Sequence, residues 1–261
     1  MSQLYQYLTF QVTNRVAVIT LNRSGQENRL DDHMISELQD AIHAAQISSQ
    51  AKVILLRAAG PVFCLGYTVS YLKRIPQYSL EQHQAQSSLF AQLLIKLYRS
   101  PKVVICQIQG NATAEGAALA SVCDLTVVAE DAQIGFPEVR YGQVPALVMP
   151  VLLRKLGETK SKELLLTGAL ISGRKAVAMG LLTHSAPHDQ LNNVIQSLTD
   201  SLCKGNSFVA LQLTKKMIVD IQDFPLENAM TFATKMNAHA CSSEDFRRGI
   251  KAFENGTSLE W

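Results

Sequence analysis

Three runs of almost unbroken apolar residues, 52-KVILLRA-58, 102-KVVICQIQG-110 and 124-DLTVVAE-130, set the tightest limit on what this chain can fold into. A strand that is apolar at successive positions is buried on both faces, so each run needs a covering layer on either side. Helices are the natural cover. One is expected after the strand 16-VAVITLN-22 and its turn RSGQEN, where Asp31 or Asp32 caps a segment with Met34, Ile35, Leu38, Ile42 and Ala45 along one face. A second, 80-LEQHQAQSSLFAQLLIKLYRS-100, is long and amphipathic and stops before Pro101.

Further on, 158-ETKSKELLLTG-168 and 173-GRKAVAMGLL-182 read as short helices bounded by glycine. The last sixty residues read as helical throughout, with periodic segments at 190–205, 207–221 and 225–242 separated by Gly205 and Pro225. The expectation is an α/β fold: a core over residues 1–189, and a helical C-terminal lobe over 190–261 packed with it as one unit. There is no internal repeat and no low-complexity linker.

Composition narrows the function by exclusion. At 261 residues the chain can bury a large core, and 47% hydrophobic with 18% charged residues is ordinary globular usage. No segment has the ~18 uncharged apolar residues of a membrane span. A net charge of +2, with dispersed Lys and Arg, argues against a nucleic-acid surface. The N-terminal MSQLYQYLTFQVTNR lacks the build of a signal peptide, which makes a cytoplasmic protein the expectation. Cys64, Cys106, Cys123, Cys203 and Cys241 are odd in number, widely spaced and free of C-x-x-C pairs, so buried thiols are expected rather than a disulfide framework. The nearest histidines, His184 and His188, flank Pro187, and no metal site is expected.

Chemistry concentrates around 106-CQIQGNATAEGAALASVCDLTVV-128. A strand ending at Gly110 passes through Asn-Ala-Thr-Ala-Glu-Gly into Ala117, Ala118, Leu119 and Ala120, the pattern of a strand feeding a helix start. Free N–H groups there suit an anion or a developing oxyanion, and small side chains admit a ligand. The same pattern serves close helix packing without any ligand. It is neither a dinucleotide fingerprint nor a P-loop.

The whole run VICQIQGNATAEGAALASVCDLTVVAEDAQIGFPEVRYG resembles the signature of the crotonase (enoyl-CoA hydratase/isomerase) superfamily. Four other pieces fall in that family's order: 18-VITLNR-23 with Asn28, 61-PVFCLGYTVSYL-72, 164-LLLTGALISGRKAVAMGLL-182 and 247-RRGIKAFEN-255. The resemblance implies a spiral of ββα turns with a helical C-terminal lobe, assembled as a homotrimer or hexamer. It implies an acyl thioester substrate carried by CoA or by an acyl carrier protein, and no further cofactor.

It also assigns roles. Two backbone N–H groups would stabilise a thioester enolate, one from Tyr67 after Gly66 and the other from Glu115. Of the two catalytic glutamates of the family's hydratases, the first aligns with Ala118 and is missing. The second aligns with Glu138, the expected general acid/base. The Glu115 side chain is expected to favour the helix start rather than take part in chemistry. Cys64, Leu65, Gly66 and Thr68 of the loop, with Gly110, Gly116 and Pro137, are the expected substrate-binding positions, and Arg23 is a candidate phosphate contact or a plain surface residue. The loop departs from the usual Gly-Ala-Asp by reading Gly66-Tyr67-Thr68, so a bulky Tyr67 would reshape the acyl pocket. With Val139 to Pro150 replacing a glycine-rich stretch, the chain looks like the one-glutamate branch: methylglutaconyl-CoA hydratase-like enzymes, and dehydratases of polyketide β-branching acting on hydroxymethylglutaryl thioesters. The alternatives are a decarboxylase or double-bond isomerase on the same scaffold, or a non-catalytic thioester-binding member.

Overall fold

A computed structural model describes residues 5–261. The chain opens with strands β1 (Leu8–Thr13) and β2 (Val16–Leu21), helix α1 (Asp32–Ile47) and strand β3 (Val53–Ala58). Helices α2 (Val69–Arg74) and α3 (Leu80–Tyr98) lead to β4 (Val103–Ile108), the two-residue β5 (Ala112–Thr113) and α4 (Glu115–Ser121). Then come β6 (Leu125–Ala129), β7 (Gln133–Gly135), α5 (Met149–Thr167), β8 (Leu170–Ser172), α6 (Gly173–Ala178) and β9 (His184–Ala186). Four helices finish the chain: α7 (Leu191–Asp200), α8 (Phe208–Asp220), α9 (Leu226–Cys241) and α10 (Glu244–Glu254).

The main sheet has six strands in the order β1-β2-β3-β4-β6-β9, antiparallel only between β1 and β2. Its centre is β4, in which all six residues are buried, as its unbroken apolar sequence requires. A second sheet, β5-β7-β8, stands beside the first. Two- and three-residue strands carry no period to read, so this sheet is invisible in the sequence.

Local chemistry fixes the helix ends. The Asp31 carboxylate accepts from the Met34 N–H at 3.0 Å and caps α1, whose Met34, Ile35, Leu38, Ile42 and Ala45 are all fully buried. Ser79 and Gln82 form a reciprocal capping box at the start of α3. The expected helix at 158–168 is the second half of α5, broken at Gly157, where φ is 70°. Lys102, 3% exposed, donates to the carbonyls of Ala45 and Ser48 and so satisfies the C-terminal end of α1.

The C-terminal helices are attached unevenly. Lys215 of α8 reaches Asp124 at 2.6 Å and the Lys102 carbonyl at 3.0 Å, tying that helix to the main sheet. By contrast α9 and α10 bury no residue and leave Leu226, Met230, Phe246 and Ile250 exposed. No helix among the described residues is long and apolar enough to cross a membrane.

Candidate active site

Two glycines bring the site together. A Cβ on Gly110 would lie 1.9 Å from the Pro61 carbonyl oxygen, and one on Gly116 would lie 2.1 Å from that of Cys64. Only glycine allows loop 61–66 to lie this close to the start of α4. Hydrogen bonds then stitch the loop down. Phe63 and Cys64 donate to the Asn111 carbonyl at 3.1 and 3.3 Å, while Thr113 donates to Cys64 at 3.0 Å. From the other side the fully buried Asn28 amide donates to the carbonyls of Ala59 and Val62 at 2.8 and 3.0 Å.

This stitching decides where the Tyr67 N–H points. Leu30 accepts from the Thr68 N–H and donates to the Gly66 carbonyl, at 2.9 and 2.8 Å, so its two neighbours are engaged. Gly66 turns the chain at φ 81°, and the Glu115 carboxyl lies against this turn, its Oε2 2.8 Å from where a Cβ on Gly66 would stand. Glu115 is the first residue of α4, so its N–H is one of the free donors of the helix start. Tyr67 and Glu115, the residues expected to supply the two donors, line one cavity.

Ala114, just before the start of α4, adopts φ 50° and ψ −121°, a conformation that an L side chain rarely takes. Strain of this kind costs ~1–3 kcal/mol. Ala114→Gly should relieve it, for a net stabilisation on the order of 1 kcal/mol after the entropy of a freer unfolded chain is counted. The denaturant midpoint would show it, and a lower midpoint would mean that Ala114 is unstrained.

The cavity holds about 110 Å³ and is lined by Tyr67, Gln86, Phe90, Glu115, Ala118 and Glu138, together with the segment Gln143 to Val148. Tyr67 is 4% exposed, stacks on Tyr71 at 4.7 Å and accepts from the Gln86 amide at 2.6 Å. Its bulk does shape the pocket. Gln86, Ser87 and Phe90 come from α3, whose amphipathic sequence gives no sign that this face reaches the site. A larger cavity of about 720 Å³ lies beside α8, but its half-buried acid, Asp124, is already paired with Lys215.

Glu138 stands on a short 3-10 turn, Pro137–Tyr141, that Pro137 initiates. It is 4% exposed, and its Oε2 is buried without a hydrogen-bond partner. Burial pushes its carboxyl up to about 7, although its own N–H favours the ionised form. Glu115 is also raised to about 7, first by burial and then by the charge of Glu138, against the lowering effects of the two N–H groups and Arg29. A raised carboxyl pKa means that the folded state holds protons the unfolded chain releases, so stability falls as pH rises from about 4.5 to about 7. Glu138→Gln should therefore stabilise the fold on the order of 2 kcal/mol at pH 8 and not at pH 4.5. Thermal melts at the two pH values check this, and equal shifts at both would contradict it.

The other expected positions are placed as follows. Cys64 is buried, with its thiol pushed up to about 12 by burial, and bridges to Ala112. Leu65 donates to the Glu27 carbonyl at 3.3 Å, and Thr68 caps α2 by accepting from the Tyr71 N–H at 3.2 Å. Arg23 does not line the cavity. Its guanidinium pairs with Asp31 at 2.7 Å and stacks over the Tyr7 ring at 4.0 Å.

Residues 11–261 match the family model described as enoyl-CoA hydratase/isomerase. A Thermus thermophilus protein provisionally named an enoyl-CoA hydratase is 33% identical, over 91% of this chain and 94% of its own. The (E)-benzylidenesuccinyl-CoA hydratase of Thauera aromatica is 27% identical over 94% and 95% of the two chains. Among solved structures, an enoyl-CoA hydratase from Shewanella pealeana superposes with a TM-score of 0.94 at 26% identity, covering 100% of this chain and 97% of that one.

Proposed function

The chain belongs to the enoyl-CoA hydratase/isomerase family, and from that premise we propose that it adds or removes water at the α,β bond of an acyl thioester, with Glu138 as the sole general acid/base. The observation that carries this reading is the Glu138 Oε2: buried, unpartnered and in the same small cavity that Tyr67 and Glu115 line. Buried polar atoms are almost always satisfied, and one left open in a cavity is fitted to a reacting group.

In the hydration direction Glu138 as carboxylate takes a proton from water while the water oxygen bonds to the β-carbon. The electron pair of the double bond moves to the thioester oxygen, where the N–H groups of Tyr67 and Glu115 hold the charge. Glu138, now protonated, returns its proton to the α-carbon and is regenerated. Dehydration runs the same steps in reverse, so one carboxyl suffices and the alanine at position 118 is accommodated. A pKa near 7 suits a group that must both take and give a proton at neutral pH.

The finer reading is dehydration of a 3-hydroxy-3-methylglutaryl thioester on an acyl carrier protein. The single acid and the departures at Tyr67 and Val139 to Pro150 support it, as do the polar Tyr67 hydroxyl, Gln86 and Ser87 in the lining of the cavity. The apolar residues left open on α9 and α10 suit assembly into a homotrimer or hexamer. The test is mass spectrometry of products from short enoyl and 3-hydroxyacyl thioesters, the 3-hydroxy-3-methylglutaryl group included, each offered on CoA and on a carrier protein. A change of one water is expected. Loss of carbon dioxide, or an isomer of unchanged mass, would replace this reading with the decarboxylase or isomerase alternative.

A further inference from the structure

The geometry points to the Glu115 carboxyl as an internal occupant of the oxyanion hole, which an acyl thioester must displace before its carbonyl oxygen can bind. This rests on the reading of the Tyr67 and Glu115 N–H groups as that hole.

Three observations converge on it. First, Glu115 and Tyr67, whose N–H groups would hold the thioester oxygen, line one cavity, and the Glu115 carboxyl belongs to the residue that supplies one of those donors. Second, its Oε2 lies 2.8 Å from where a Cβ on Gly66 would stand, so it is wedged against the turn that aims the Tyr67 N–H. Third, the residue is only 9% exposed and the cavity beside it holds about 110 Å³, too little for an acyl thioester end and the carboxyl together. A carboxylate accepting from two N–H groups resembles the enolate oxygen in charge and geometry, which makes it an effective competitor. Once displaced it has somewhere to go. Ala118, one helical turn on, lines the same cavity and presents only a methyl group there.

Competition of this kind depends on charge. The ionised carboxylate binds the donors more strongly than the acid and repels a developing enolate, so affinity for a thioester should fall as Glu115 loses its proton. The groups that face it are Glu138, which raises its pKa, Arg29, which lowers it, and the neutral Tyr67, Cys64 and Tyr141. Glu138 titrates over the same range, so the experiment must remove that acid.

The test compares butyryl-CoA, a saturated thioester that cannot react, against two variants of the full chain by calorimetry. In Glu138→Gln, affinity should weaken steadily as pH rises through the ionisation of Glu115, approaching tenfold per unit. In Glu138→Gln with Glu115→Gly, binding should be at least tenfold tighter at pH 8.5, and the difference in pH dependence should vanish. Glu115→Ala in the same background serves should glycine disturb the helix start, and it should behave alike. Equal affinities with and without Glu115 would overturn the proposal while leaving the thioester site intact. Absence of binding to every variant at millimolar butyryl-CoA would overturn the thioester reading and this proposal with it.

Discussion

Glu138→Gln should lower turnover of a thioester substrate by about a thousandfold and leave the fold at least as stable as before. General acid/base groups contribute on the order of 10²–10⁴, and no other acid in the cavity is placed to take over from this one. Ala118 has none to offer, and the Glu115 carboxyl lies against the Gly66 turn. Glutamine keeps the shape and removes both the proton chemistry and the cost of burying a charge. A large fall in kcat with little change in KM, together with an unchanged or higher melting temperature at pH 8, is the expected pattern. A variant that retains a tenth of the activity would show that the proton travels by another route.

The second large effect belongs to a residue with no chemistry. Gly116→Ala would place a methyl 2.1 Å from the Cys64 carbonyl oxygen and 2.7 Å from its carbon. Both are backbone atoms that cannot rotate away, so loop 61–66 must move and carry the Tyr67 N–H with it. Overpacking of this sort costs roughly 1–3 kcal/mol, and more when backbone must give. Loss of one oxyanion donor costs about 10²–10³ in rate. A destabilised protein with activity down by at least a hundredfold is therefore expected. Gly25→Ala is the control, because nothing lies within 4 Å of the added methyl, and it should stay within about 0.5 kcal/mol of the parent. An active, stable Gly116→Ala protein would mean that the two segments are not locked as described.

These two residues differ in how far the sequence exposes them. Glu138 is legible from the order of motifs around Pro137, and the missing acid at Ala118 from the same comparison. The need for glycine at 110 and 116 is suggested by the small-residue stretch, but its cause lies in a loop some fifty positions earlier. The apolar runs 52–58, 102–110 and 124–130 do become the buried strands β3, β4 and β6, because burial on both faces leaves a clear mark. Strand β1 and the β5-β7-β8 sheet escape, the first by alternating with polar residues at the sheet edge and the second by brevity.

Glu115 shows where sequence reasoning stops. From the sequence its side chain belongs to a favourable helix start, and the structure adds that its carboxyl lies against the Gly66 turn of a distant loop. That turn is set by a pairing of Tyr67 with Leu30. No local pattern encodes such a contact. Arg23 is similar, since its pairing with Asp31 and stacking on Tyr7 arise only once β1, β2 and α1 have packed together.

The most direct test of the central claim is isotope exchange at equilibrium with a 3-hydroxyacyl thioester. In H2(18)O the wild-type protein should introduce the heavy oxygen at the β-carbon, and in D2O it should introduce deuterium at the α-carbon, with Glu138→Gln doing neither. Exchange of the α-hydrogen without any oxygen exchange, or oxygen exchange that survives in Glu138→Gln, would contradict a hydratase site built on Glu138.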